Sequence, residues 1–152
     1  MTDPIIYLIS EGSLTEENFA ENKKRFLSLI EIAVENEISL IQIREKKLSA
    51  KLLFQLTSDS AEITKKSKTK LLVNDRADIS LAAKADGVHL TESSVPSEII
   101  RYNFPSDFII GVSAHSIETA EKARKQNADF ITFSPVFASP NKGEPQGLKK
   151  LS

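Results

Sequence analysis

Six short apolar runs, each separated from the next by a stretch with helical periodicity, constrain this chain more than any other feature. The runs are Ile5–Ser10, Ser39–Arg44, Lys70–Asn74, Gly87–Leu90, Phe108–Ser113 and Phe130–Val136. Most are continuously apolar rather than alternating, which is the pattern of strands covered on both faces. Ser13-Leu14-Thr15-Glu16 has the form of a capping box, and Phe19, Phe26, Ile30, Ala33 and Val34 follow it at helical spacing. Ser49 opens a second helix, with Leu53, Leu56 and Ile63 on one face. Ile79–Ala85 forms a third, Pro96 stands near the start of a fourth, and Ser116 caps a fifth with Ala120 and Ala123 turned inward. Repeated β-α alternation predicts a parallel sheet, in either an open doubly wound fold or a barrel.

The 152 residues fit one α/β domain spanning 1–152. Twenty Lys and Arg against 21 Asp and Glu give a net charge of -1, which points to neither nucleic acid nor an anionic membrane as partner. The absence of cysteine excludes disulfide and thiolate chemistry and fits a reducing cytoplasm. Met1–Ser10 carries Asp3 and Pro4 and no basic region, so it does not read as a signal peptide. No apolar stretch approaches the roughly 20 residues that span a bilayer.

In parallel βα folds, ligand groups collect just past the strand C-termini. The second run ends in Gln42-Ile43-Arg44-Glu45-Lys46, and alternation puts Gln42, Arg44 and Lys46 on one side. Two cations and an amide suit an oxyanion such as a diphosphate, or an ion pair inside a barrel. After the third run, Asp75 offers a hard carboxylate to Mg2+ or caps the following helix. His89 is a lone histidine in an apolar strand and reads as a core residue. Ser113 and His115 point the same way and could reach a ligand, but no partner acid or oxyanion motif suggests a Ser-His hydrolase. Lys142 sits in a Gly- and Pro-rich loop, either solvated or part of a lid.

The ordered set QIREK, LLVNDRADISLA, ADGVHL, IIGVSAHS, ADFITFSPVF, SPNK and QGL resembles the thiamine phosphate synthase and TenI family, from about Ile5 to the end of the chain. That resemblance implies a TIM (β/α)8-type barrel, here incomplete, with about six βα units and the last two absent. It implies condensation of a pyrimidine diphosphate with a thiazole phosphate to thiamine phosphate and pyrophosphate, with Mg2+ as cofactor. Gln42, Arg44, Glu45 and Lys46 match the segment that binds the pyrimidine diphosphate, Asn74 and Ser113 match further positions for it, and Asp75 matches a Mg2+ ligand. Lys142 matches the lysine that reaches the diphosphate, and Ser139 and Asn141 match positions near the thiazole phosphate. The catalytic set expected from this is Lys142, Ser113 and His115.

Three departures stand out. Ser94 occupies the position of the second Mg2+-ligating Asp; it keeps a helix-capping group and loses a charge, and Glu92 is the nearby carboxylate that would compensate. Ser139-Pro140-Asn141-Lys142 replaces Thr-x-Thr-Lys. With strands seven and eight absent, the chain is expected to be marginally stable alone, or to self-associate through open barrel edges. Two other readings stand beside the synthase. One is a TenI-like thiazole tautomerase using His115 for proton transfer. The other is a non-catalytic chain that binds phosphorylated thiamine precursors.

Overall fold

A computed structural model describes residues 4–138, 145 and 147. The elements are β1 Tyr7–Ile9, α1 Phe19–Glu35, β2 Leu40–Ile43, α2 Ala50–Thr64, β3 Lys70–Asn74, α3 Ala77–Ala82, β4 Gly87–Leu90, α4 Ser97–Asn103, β5 Ile109–Ala114, α5 Ile117–Lys125 and β6 Phe130–Phe133. The predicted βα alternation is present, and the strands follow in chain order, β1-β2-β3-β4-β5-β6. β3 and β4 coincide with the predicted runs, while the others lose or shift residues at their ends. Internal contacts divide the chain into two compact units, Met1–Val88 and His89–Ser152.

In the first unit, β1 pairs β2 and β2 pairs β3, all parallel, with Ile9 opposite Gln42 and Gln42 opposite Leu72. Partners across a parallel ladder share a face, so Tyr7, Gln42 and Leu72 lie on one side, and Ile41, Ile43, Leu71 and Val73 on the other. The second set packs on Phe19, Ile30 and Ala33 of α1 and Leu53, Leu56 and Ala61 of α2. Each fully buried aliphatic side chain of this kind contributes about 1.5–3 kcal/mol. Leu71, Leu72 and Val73 are all fully buried, so β3 is covered on both faces, as its unbroken apolar run predicts. β1 differs: Leu8 and Ile9 are adjacent, point to opposite faces, and are 42% and 45% exposed.

The first helix starts later than its capping-box signature predicts. α1 begins at Phe19 with Asn18 as N-cap. The Thr15 N–H donates to Asn18 Oδ1 at 2.8 Å, and the Asn18 N–H donates back to Thr15 Oγ1 at 3.4 Å. Upstream, the Gly12 and Leu14 amides are held by the Glu45 carboxylate, so this stretch is tied to the end of β2 and cannot wind into a first turn. α3 begins at Ala77, two residues before the predicted start, and ends before the predicted Ala85.

Three helices terminate in the same way without glycine. After α1, α3 and α5 the chain takes a positive φ at Glu37, Lys84 and Asn127. The next amide reaches back five residues: Ile38 to Ala33 O, Ala85 to Ser80 O, and Ala128 to Ala123 O. This is the Schellman closure, in which the missing intrahelical partners of the last carbonyls are replaced by the turning chain.

In the second unit β5 and β6 pair in parallel, with Gly111 opposite Phe130 and Ser113 opposite Thr132. Ser116 caps α5 as predicted, accepting from the Thr119 N–H at 3.2 Å, with the Thr119 hydroxyl completing a capping box. Ala123 is buried and Ala120 half-buried. No helix among the described residues is long and apolar enough to cross a membrane.

Candidate functional site

The regular strand stops at Ile43, so Arg44 and Lys46 lie beyond the alternation on which their predicted alignment with Gln42 rests. Gln42 is buried, and its Nε2 donates to the Tyr7 hydroxyl at 2.6 Å. Burial pushes the Tyr7 phenol up to about 12, and the Gln42 bond acts weakly against that shift. Arg44 is exposed, with its N–H donating to Ser10 Oγ at 2.8 Å.

Glu45 is buried, with both carboxylate oxygens occupied: the Gly12 N–H donates at 3.1 Å and the Leu14 N–H at 2.8 Å. Gly12 has φ +76, and a Cβ there would stand 3.2 Å from the Arg44 carbonyl. The glycine therefore allows the β1–α1 loop to close over the end of β2. Glu45 is thus a loop anchor, a role the sequence reading missed.

A cavity of about 280 Å³ opens at the ends of β2 and β3. Glu45, Lys46, Asn74, Asp75 and Arg76 give it its polar wall. Of the predicted site residues in this unit it gathers Glu45, Lys46, Asn74 and Asp75, but not Gln42 or Arg44. Asp75 is exposed and holds φ +65, a left-handed conformation that Asp tolerates better than most side chains. The Arg76 N–H donates to Asn74 O at 2.8 Å, closing a three-residue turn around Asp75. The N-cap position of α3 belongs to Arg76, so the capping alternative for Asp75 is not the arrangement found. Arg76 is engaged by Asp78 through Nε at 2.9 Å and an Nη at 2.6 Å, and this pairing holds the Asp78 carboxyl below its usual range.

Among the described residues no group of three or more His, Asp or Glu forms an all-protein metal cage. Mg2+ needs none, since it binds through one or two carboxylates, waters and substrate phosphates. The Asp75 carboxylate, in the same cavity wall as Lys46 and Asn74, fits that mode.

In the second unit, the exit of β4 is a hydroxyl turn. Ser94 Oγ accepts the Thr91 N–H at 2.7 Å and lies 2.9 Å from Thr91 Oγ1. The N-cap of α4 is Pro96, so Ser94 closes its own turn rather than capping the helix as expected. A second cavity of about 290 Å³ is bounded by Thr91, Glu92, Ser94 and Ser113, with α4 and α5 residues behind.

Ser113 and His115 do not act as a pair. Ser113 Oγ lies 3.0 Å from His89 Nε2. The exposed His115 donates from Nδ1 to the Ser134 carbonyl at 2.6 Å, since a carbonyl can only accept. His89 is buried as expected, and burial pushes its imidazole down to about 4, so it is neutral near pH 7. Ser139, Asn141 and Lys142 lie outside the described residues.

A protein-family model described as thiamine monophosphate synthase matches residues 6–152. The chain belongs to the thiamine monophosphate synthase family. A putative thiamine-phosphate synthase 2 of Aquifex aeolicus is 41% identical over 97% of the chain and 76% of its own length. A thiamine-phosphate synthase of Methanobrevibacter smithii is 35% identical over 97% of the chain and 68% of its own length. A solved thiamine phosphate pyrophosphorylase from Pyrococcus furiosus superposes with a TM-score of 0.78 at 26% identity, covering 97% of the chain and 67% of that structure. The chain thus spans about two thirds to three quarters of these relatives. Family and superposition decide between the two architectures left open by periodicity: the fold is α/β of the TIM-barrel type, with six strands and five helices among the described residues.

Proposed function

We propose that this thiamine monophosphate synthase family member performs the reaction its relatives are named for, joining a pyrimidine diphosphate to a thiazole phosphate with release of pyrophosphate. The observation that carries this reading is the cavity at the ends of β2 and β3, where Lys46, Asn74 and Asp75 meet. A leaving diphosphate needs charge neutralisation, and a cation, an amide donor and a metal-binding carboxylate supply it. Mg2+, held by Asp75 with waters and the diphosphate, would add positive charge to the leaving group. Lys46 donates to diphosphate oxygens and Asn74 orients them. Arg44, exposed at the same strand exit, provides a further cation. Gln42 and Glu45 act from behind, by fixing Tyr7 and the β1–α1 loop. Ser113, whose motif matches a further substrate position, donates to the substrate, and Lys142 joins the diphosphate-handling set.

Incubation of the chain with both substrates and Mg2+ is expected to release pyrophosphate in step with thiamine phosphate. No release at substrate saturation overturns the reading. One observation favours a second activity: Nδ1 of the exposed His115 donates to Ser134 O, which fixes the ring and leaves Nε2 as the nitrogen available for proton transfer in thiazole tautomerisation. Tautomerisation lost in His115→Asn, without pyrophosphate release, would replace the first reading with this one.

A further inference from the structure

His89 meets four residues drawn from one face of β5 and β6. Gly111 and Phe130 are register partners, and Ser113 and Thr132 are the next partners along the same face. The lower pair clamps the imidazole. The Phe130 ring centroid lies 5.8 Å from that of His89, tilted by 50°. A Cβ on Gly111 would stand 2.8 Å from His89 Nδ1 and would collide with the Phe130 ring, so only glycine leaves room for both rings. The upper pair faces Nε2, with Ser113 Oγ at 3.0 Å and Thr132 Oγ1 at 3.4 Å. The buried ring is thus locked, with one nitrogen aimed at a hydroxyl assigned to the substrate.

We propose that His89 is a positioning residue whose Nε2–H donates to Ser113 Oγ, turning the Ser113 proton toward the bound substrate. This rests on the synthase reading above. Phosphate oxygens and pyrimidine ring nitrogens are acceptors, so a serine that serves them must donate. It has one proton, and can give it to the ligand only if its link to the histidine is one in which it accepts. A neutral imidazole protonated on Nε2 meets that need. Its depressed basicity fits a fixed donor and not a group that exchanges protons with the substrate.

The chain has two histidines, so selective 15N labelling with His115→Asn to assign the signals reads the His89 tautomer directly. The Nε2–H form is expected, and the Nδ1–H form overturns the proposal. The kinetic test is a cycle of His89→Phe and Ser113→Ala. His89→Phe is expected to lower kcat by about 10-fold or more, the scale of a misplaced catalytic contact, with KM changed less. His89→Gln, which keeps a donor near the Nε2 position, is expected to recover most of that loss. In the Ser113→Ala background His89→Phe should have almost no further effect, because the two act as one unit. An equal loss with and without Ser113, or no loss at all, sinks the proposal. An inactive wild-type protein would count against the synthase reading instead, and the tautomer would still decide this one.

Discussion

At the entry to β4, Asp86 accepts from the Leu71 N–H and Lys70 Nζ, both at 2.9 Å, and its own N–H donates to Leu71 O. At the entry to β6, Asp129 accepts from the Ile110 N–H and an Arg101 Nη, both at 2.7 Å, and its own N–H donates to Ile110 O. Each aspartate follows an alanine that closes a Schellman turn. The two units therefore enter these strands by the same device. Their exits share nothing comparable: β3 leaves through a carboxylate held at positive φ, and β4 through hydroxyls gathered on Thr91. A strand entry has one task, to end a helix and begin a ladder, and one solution serves both units. A strand exit is where TIM-type folds carry chemistry, and each exit is built for a different group.

The largest expected effect tests the difference between exits. Asp75→Asn should lower Mg2+-dependent pyrophosphate release by about 100-fold or more, the cost of losing a principal electrostatic contact. Its melting temperature should barely change, because Asn also tolerates positive φ. Ser94→Ala should do the reverse, costing about 1 kcal/mol of stability by urea titration with turnover within a few-fold of wild type. Equal loss of Mg2+ dependence in both would make the exits alike and give Ser94 a ligand's part. Next, Glu45→Ala strands the Gly12 and Leu14 amides and should cost about 3 kcal/mol.

The likeness of the entries is tested by Asp86→Ala and Asp129→Ala, each expected to cost about 1–2 kcal/mol with kcat little changed. A loss of turnover in the folded Asp129→Ala protein would break the division between entries and exits. The last effect is in pH. His89 is neutral in the folded chain down to about 4, whereas an unfolded histidine protonates near 6.5. Between those values the unfolded state holds more protons, so stability falls as pH drops through that window. His89→Gln should flatten this slope in melts from pH 7 to pH 4.5, and an unchanged slope would place its source elsewhere.

The sequence by itself determined the βα order, the extents of β3 and β4, the start of α2 after Ser49, the cap at Ser116, and the family. These follow from local signals: unbroken apolar runs, helical spacing and motif order. Only the tertiary structure decided the rest, because each decision depends on a partner far along the chain. The strand ends at Ile43, short of Arg44 and Lys46, and no local signal marks that ending. Ser13–Glu16 failed as a cap because Glu45, more than 30 residues on, takes the loop's amides. His89 reads as a core residue from its strand alone, and it is one. That its Nε2 meets Ser113 depends on β4 and β5 bringing residues 24 apart within 3.0 Å, which periodicity cannot express.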